Sequence, residues 1–315
     1  MKKNMLITGV SGMLGNNLSY YFKDKYEVLG LYNSHPVIIN GIHTKKCDLL
    51  SKDSLNKIIN EFKPLIIIHC VALTNVDQCE IDKNLAERIN IVSTKNIVDS
   101  IDDKVKLIYI STDAVYDGSK GNFSENDLIN PLNYYGISKY KGELETLKRE
   151  NGVIIRTNLF GWNIQNKNSL GEWILHELKA NHRINCFRDA YFSSIYTMEF
   201  ARVLNGVIKK NLSGIYNCGS TDGCSKFEFA QQIAKLFGFN KLLIRPISIN
   251  DHSFKAKRGT NLTLDVHKLE RDLDYKLTNI SNSISSFYSD YISKLPNKIG
   301  KCTKLFSKQG HESKK

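Results

Sequence analysis

A chain of 315 residues, 41% hydrophobic and 24% charged, holds the material for one large or two modest folded units around an ordinary core. No apolar run approaches the ~20 residues of a membrane helix, and MKKNMLITGV passes from two lysines directly into a strand, so a cytoplasmic protein without a transmembrane segment is expected. The formal charge of +12 invites nucleic acid or a membrane surface as partner, but the stretch after Pro296 alone carries six lysines against one glutamate, and no aromatic-basic motif or zinc finger accompanies it. The expectation is therefore a basic, disordered tail over 296–315, no nucleic-acid partner, and a positive surface suited to an anionic substrate. Cysteines at 47, 70, 79, 186, 218, 224 and 302 show neither a CxxC pair nor matched histidine spacing, which predicts free thiols and no metal site.

In chain order, Asn4 to Thr8 reads as a first strand, and TGVSGMLG then places Gly9, Gly12 and Gly15 ahead of an amphipathic helix bearing Leu14, Leu18, Tyr21 and Phe22. Glycines so spaced let the backbone turn tightly and approach a pyrophosphate, whose charge meets the free N–H groups of the helix. The second strand, Glu27 to Leu31, runs into Tyr32, Asn33, Ser34 and His35 with no acidic residue to take the adenosine ribose hydroxyls. That absence admits a 2′-phosphate held by Asn33, Ser34 and His35, so NADP(H) is the preferred cofactor, with NAD(H) left open. Asp48 follows a short third strand and is placed to face the adenine. A buried strand from Leu65 to His69 opens into Val71, Ala72 and Leu73, small and apolar enough for a cofactor to pass. A helix is predicted from Asn84 to Ile101, with Asn90 on it.

The densest chemistry lies between Val105 and Glu143. An apolar run from Val105 to Ile110 suits a buried parallel strand and delivers the hydroxyls of Ser111 and Thr112 at its carboxyl end. After Pro131 the sequence turns helical, where Tyr135 and Lys139 fall one turn apart on one face. A free phenol titrates near ~10, and a neighbouring ammonium is expected to lower that value. Tyr135 can then exchange a proton with a carbonyl oxygen that Thr112 or Ser111 holds. The alternation continues to Val153–Arg156, which implies a Rossmann-like, doubly wound parallel α/β sheet with ligands along the carboxyl ends of its strands. The expected units are a dinucleotide-binding domain over 1–160, to which later segments return, and a smaller C-terminal α+β substrate lobe over 161–295. In the latter, Ser225 and Glu228 form a capping box, and a late helix from Ser281 to Leu295 stops at Pro296.

Taken together, TGVSGMLG, VALTNVDQCE, STDAVYDG, SENDLINPLNYYGISKYKGE and the late AKRGTNLTLD resemble the extended short-chain dehydrogenase/reductase family, and within it the dTDP-4-dehydrorhamnose reductase branch, over residues 4 to 290. The resemblance implies reduction of a nucleotide-linked 4-keto-6-deoxy sugar by NADPH or NADH in deoxysugar biosynthesis. It carries Thr112, Tyr135 and Lys139 over as the catalytic trio, with Lys139 also on the nicotinamide ribose. Met13, Leu14, Gly15, Asp48, Leu49 and the Val71–Leu73 loop carry over as cofactor contacts, and Asp113 as a sugar contact. Asn158 is a further substrate candidate, and Arg258, a planar fork suited to phosphates, is another. The chain departs from the branch where Asn158 and Leu159 follow Arg156 and Thr157, with the tryptophan displaced to Trp162, and where Gly259 rather than proline follows Arg258. A tight-NAD epimerase and a nucleotide-binding regulatory subunit without turnover remain alternatives, and a homodimer is left open.

Overall fold

The computed structural model describes residues 2–165 and 167–305. Seven parallel strands form the central sheet: β1 Asn4–Thr8, β2 Glu27–Tyr32, β3 His43–Lys46, β4 Ile66–His69, β5 Lys106–Thr112, β6 Gly152–Thr157 and β7 Gly214–Cys218. Their order is β7-β6-β5-β4-β1-β2-β3, so the direction of winding reverses beside β1. Parallel strands covered by helices on both faces need continuous apolar runs, and Leu6–Ile7, Ile66–Ile68, Leu107–Ile110 and Val153–Ile155 are buried throughout. The chain supplies β7 only after an excursion through the second lobe, registering Gly214 to Cys218 against Val153 to Thr157.

Two helices position the chemistry. The first, α1 (Met13–Phe22), follows β1 directly and buries Leu18 and Phe22. The second, α2 (Tyr134–Thr146), starts at Asn133, whose side chain accepts from the Gly136 N–H. It lies close on β5 because Gly142 faces the Tyr109 hydroxyl, where an added Cβ would sit 2.2 Å away. Beneath its last turns Glu143 and Arg156 form a bidentate pair, 2.7 Å at the closest approach, with side chains 0% and 2% exposed. Ser111 donates to the same carboxylate at 2.5 Å, and Arg156 donates to the Tyr116 hydroxyl at 2.7 Å.

The second lobe has its own core, in which Trp162 stacks on Phe287 with centroids 3.9 Å apart. A helix α3 (Lys226–Phe237) begins there with the expected capping box of Ser225 and Glu228. Short strands build the wall facing the sheet, Tyr191–Phe192 pairing with both Cys224–Ser225 and Asn261–Leu262.

Two sequence expectations are corrected. The run from Asn84 to Ile101 is three segments, Lys83–Glu87, a wide π-turn Arg88–Val92, and Ser93–Ser100. The widened turn directs Asn90 inward, where it accepts from the Leu73 N–H at 2.7 Å and donates to Ser138 at 2.8 Å. The tail is ordered at least to Leu305: Ile280–Ile292 is one helix, Leu295–Cys302 another, and Thr303–Leu305 pairs antiparallel with Val37–Ile39. Pro296 opens that last helix instead of ending the previous one, since a first-turn residue needs no N–H partner. Leu295 and Ile299, buried four apart, anchor it. The remainder of the expected tail, 306–315, lies outside the described residues.

Removing one half of the Glu143–Arg156 pair strands a buried guanidinium. Glu143→Ala should cost about 3–5 kcal/mol, read as a lower urea midpoint at unchanged slope. A loss below about 1 kcal/mol, the worth of an exposed pair, would show that water reaches Arg156.

Candidate active site

One cleft of about 1030 Å³ runs along the carboxyl ends of the central strands, at the top of the ~300–1,000 Å³ range of small-molecule pockets and roomy enough for two ligands. At one end sits the start of α1, capped by Gly12 without any side-chain hydrogen bond, so the N–H groups of Met13, Leu14 and Gly15 are left for a ligand. The turn is folded so closely that a Cβ on Gly15 would lie 2.4 Å from the Gly9 carbonyl oxygen. Asn33, Ser34 and His35 line the cleft beyond β2, with the Ser34 hydroxyl 3.1 Å from His35 Nδ1 and no carboxylate in the turn. Asp48, exposed, accepts from the Leu50 N–H at 3.0 Å, while Leu49 is buried beside it, and Val71 and Ala72 form the adjoining wall. A glycine cradle, an uncapped helix start and a donor-lined turn without an acid fit an adenine dinucleotide that carries a 2′-phosphate. Leu73 departs from expectation: both its backbone groups bind Asn90, so it braces the loop and does not line the cleft.

At the centre of the cleft, Thr112, Tyr135 and Lys139 come together. Thr112, beside Tyr135, donates to Asp113 at 3.0 Å and accepts from the Ala114 N–H at 3.1 Å. Asp113 also accepts from Asn158 at 2.9 Å, and burial pushes its carboxyl up to about 6. Ser111 and Thr112 both line the cleft, and each hydroxyl donates to a carboxylate, Ser111 to Glu143 at 2.5 Å and Thr112 to Asp113. The expected lowering of the Tyr135 phenol is overturned. Burial pushes it well above the usual tyrosine value, with Thr112 opposing. Desolvation likewise brings Lys139 down to about 7, against the pull of Glu143. Its ammonium lies 4.0 Å from the Tyr109 ring centroid. Two buried neighbours each lose more hydration than either gains from the other in the ligand-free cleft.

A family model described as RmlD substrate binding domain matches residues 2–293. The chain belongs to the RmlD substrate-binding domain family. It is 31% identical to a dTDP-4-dehydrorhamnose reductase of Aggregatibacter actinomycetemcomitans, across 85% of this chain and 92% of that one. It is 29% identical to methionine adenosyltransferase 2 subunit beta of Danio rerio, across 85% and 84%. A crystal structure of dTDP-4-dehydrorhamnose reductase from Bacillus anthracis in complex with NADP superimposes with a TM-score of 0.82 at 26% identity, covering 92% of this chain and all of that one.

As an RmlD-family protein, the chain places its departures in a consistent way. Trp162 belongs to the second core, where it stacks on Phe287. Arg258 is held at the cleft mouth by Asp77 at 3.1 Å and lies over the Phe254 ring at 4.9 Å. Its loop is fastened on both sides, Asn133 donating to the Lys257 carbonyl and the Ala256 N–H to Asp77. Sequence reading passed over Lys226, Phe187, Phe254 and Thr157, all of which line the cleft. Phe187 and Phe254 are ordinary apolar residues in sequence, and Thr157, buried without a hydrogen-bond partner, gives no local signal. Lys226 gave one: a lysine in the first turn of a capped helix opposes the helix dipole. The seven cysteines are free, and among the described residues no cluster could hold a metal and no helix is long and apolar enough to cross a membrane.

Between pH 7 and about 10 the unfolded chain carries a proton on Lys139 that the folded protein lacks, so this group makes stability rise with pH across that window. Lys139→Met removes the slope. In the ligand-free protein the variant's Tm, relative to the parent's, should be highest at pH 6 and decline toward pH 10. A difference independent of pH would mean that the ammonium is solvated.

Proposed function

We propose that this protein reduces the 4-keto group of a nucleotide-linked 6-deoxy sugar, using NADP(H) by preference and NAD(H) as a usable substitute. The observation that carries this reading is a buried Tyr135, beside Thr112 and one turn from Lys139, in a cleft that also takes in the glycine cradle at the start of α1 and Arg258. When bound, the reduced nicotinamide supplies the hydride. Burial keeps Tyr135 in the phenol form at neutral pH, which is the form that donates a proton to a carbonyl oxygen as negative charge gathers there. Thr112, its hydroxyl turning from Asp113 toward the substrate, holds the same oxygen. Lys139 acts once the proton has left, its ammonium stabilising the phenolate in a site of low dielectric. Asp113 and Asn158 bind the sugar hydroxyls, and Phe187 and Phe254 offer faces on which a base can stack beside Arg258.

A second reading, a nucleotide-binding subunit without turnover, draws support from the 29% identity to methionine adenosyltransferase 2 subunit beta. The two separate on one experiment: loss of NADPH absorbance with dTDP-, UDP-, GDP- and CDP-linked 4-keto-6-deoxy sugars. Turnover of one sugar is expected, and Tyr135→Phe should lower kcat about 10²-fold or more with NADPH affinity unchanged. Full activity in that variant removes Tyr135 from the chemistry. Tight NADPH binding with no turnover of any sugar favours the subunit reading.

A further inference from the structure

Lys226 occupies the first position of α3, directly after the Ser225 cap. A cation there meets the partial positive charge of the helix start, and burial holds its pKa below the ordinary lysine value, with Asp113 opposing. The residue is nonetheless fixed in place, its N–H donating to the Ala190 carbonyl at 3.0 Å, with the side chain on the cleft wall. Among the described residues its ammonium makes no hydrogen bond and no ion pair. Asp113, the nearby carboxylate, already takes hydrogen bonds from Thr112 and Asn158. Arg258, on the same side, repels Lys226 and is itself only partly neutralised by Asp77. A half-buried cation lining the cleft with no hydrogen-bond or ion-pair partner, beside a second cation and a helix start, is unfavourable for the protein alone and favourable around an anion.

We propose that Lys226 is the second cation of a diphosphate clamp, gripping with Arg258 the diphosphate that joins the sugar to its nucleoside. This rests on the nucleotide-sugar reading above. The dinucleotide's own pyrophosphate is served by the start of α1 at the other end of the cleft, so the anion met by Lys226 is the substrate's. A diphosphate diester carries two negative charges, one for each cation, whereas a free keto sugar carries none. Lys226 therefore selects for the activated sugar and sets its KM.

The test is calorimetric titration of dTDP, UDP, GDP and CDP, and separately of NADPH, into the parent protein, Lys226→Met and Lys226→Arg. The nucleoside diphosphate that the parent binds should lose about tenfold or more in affinity with methionine and recover most of it with arginine, while NADPH binds all three equally. Unchanged diphosphate affinity in Lys226→Met, or a loss of NADPH affinity in its place, overturns the clamp and leaves the reductase reading standing. Failure of the parent to bind any of the four removes the nucleotide-sugar reading and the clamp with it.

Discussion

The buried bridge between Glu143 and Arg156 is the constraint on which the site depends. Glu143 belongs to the helix that carries Tyr135 and Lys139, Arg156 to the strand beside the one ending in Thr112, and Ser111 and Tyr116 close the network. A buried ion pair adds little net stability, because both groups give up their hydration, but it tolerates few alternative geometries. Helix α2 cannot rotate or slide on the sheet without stranding a charge. The spacing of phenol, ammonium and hydroxyl is thereby held by a contact that never touches the cleft.

The cleft itself is electrostatically incomplete without ligands. Tyr135 is pushed up, Lys139 down and Asp113 up, each chiefly by burial, so Lys139 and Asp113, both charged in water, are held toward neutrality and Tyr135 is kept more firmly as the phenol. Such perturbation concentrates where function needs it. Lys226 and Arg258 on the substrate side and the uncapped start of α1 on the cofactor side place positive potential at both ends. The acidic and phenolic groups sit between them.

The second lobe is coupled to the first by more than proximity. Asn133 caps α2 with its carbonyl oxygen and binds the Lys257 carbonyl with its amide, so the helix bearing Tyr135 and the loop bearing Arg258 share one residue. Asp77 does the same from the opposite wall, meeting the Ala256 N–H and the Arg258 guanidinium. A displacement of the Arg258 loop therefore reaches the start of α2 through Asn133.

Much of this was legible from residues alone, because the signals were local. The glycine turn after β1, the apolar runs of β1, β4, β5 and β6, the capping box of Ser225 and Glu228, and the Tyr135–Lys139 spacing each follow from a few neighbouring positions. The missing acid after β2 was equally plain. What sequence misjudged was decided by burial and by contacts across long separations. The direction of the Tyr135 shift depends on how much water the assembled lobes exclude, and the Ser111 hydroxyl is paired with a glutamate 32 residues away. The π-turn at Asn90 exists to satisfy Leu73 and Ser138, which a helical pattern cannot reveal. The lysine-rich composition after Pro296 concealed a buried pair, Leu295 and Ile299, and a strand that closes on Val37–Ile39. The sequence by itself determined the class of fold, the glycine turn after β1 and the Tyr135–Lys139 spacing on one helix, since these rest on propensity and spacing. Only the tertiary structure decided which groups are held toward neutrality, which hydroxyls are paired and which cations line the cleft, because desolvation and pairing are properties of the packed chain.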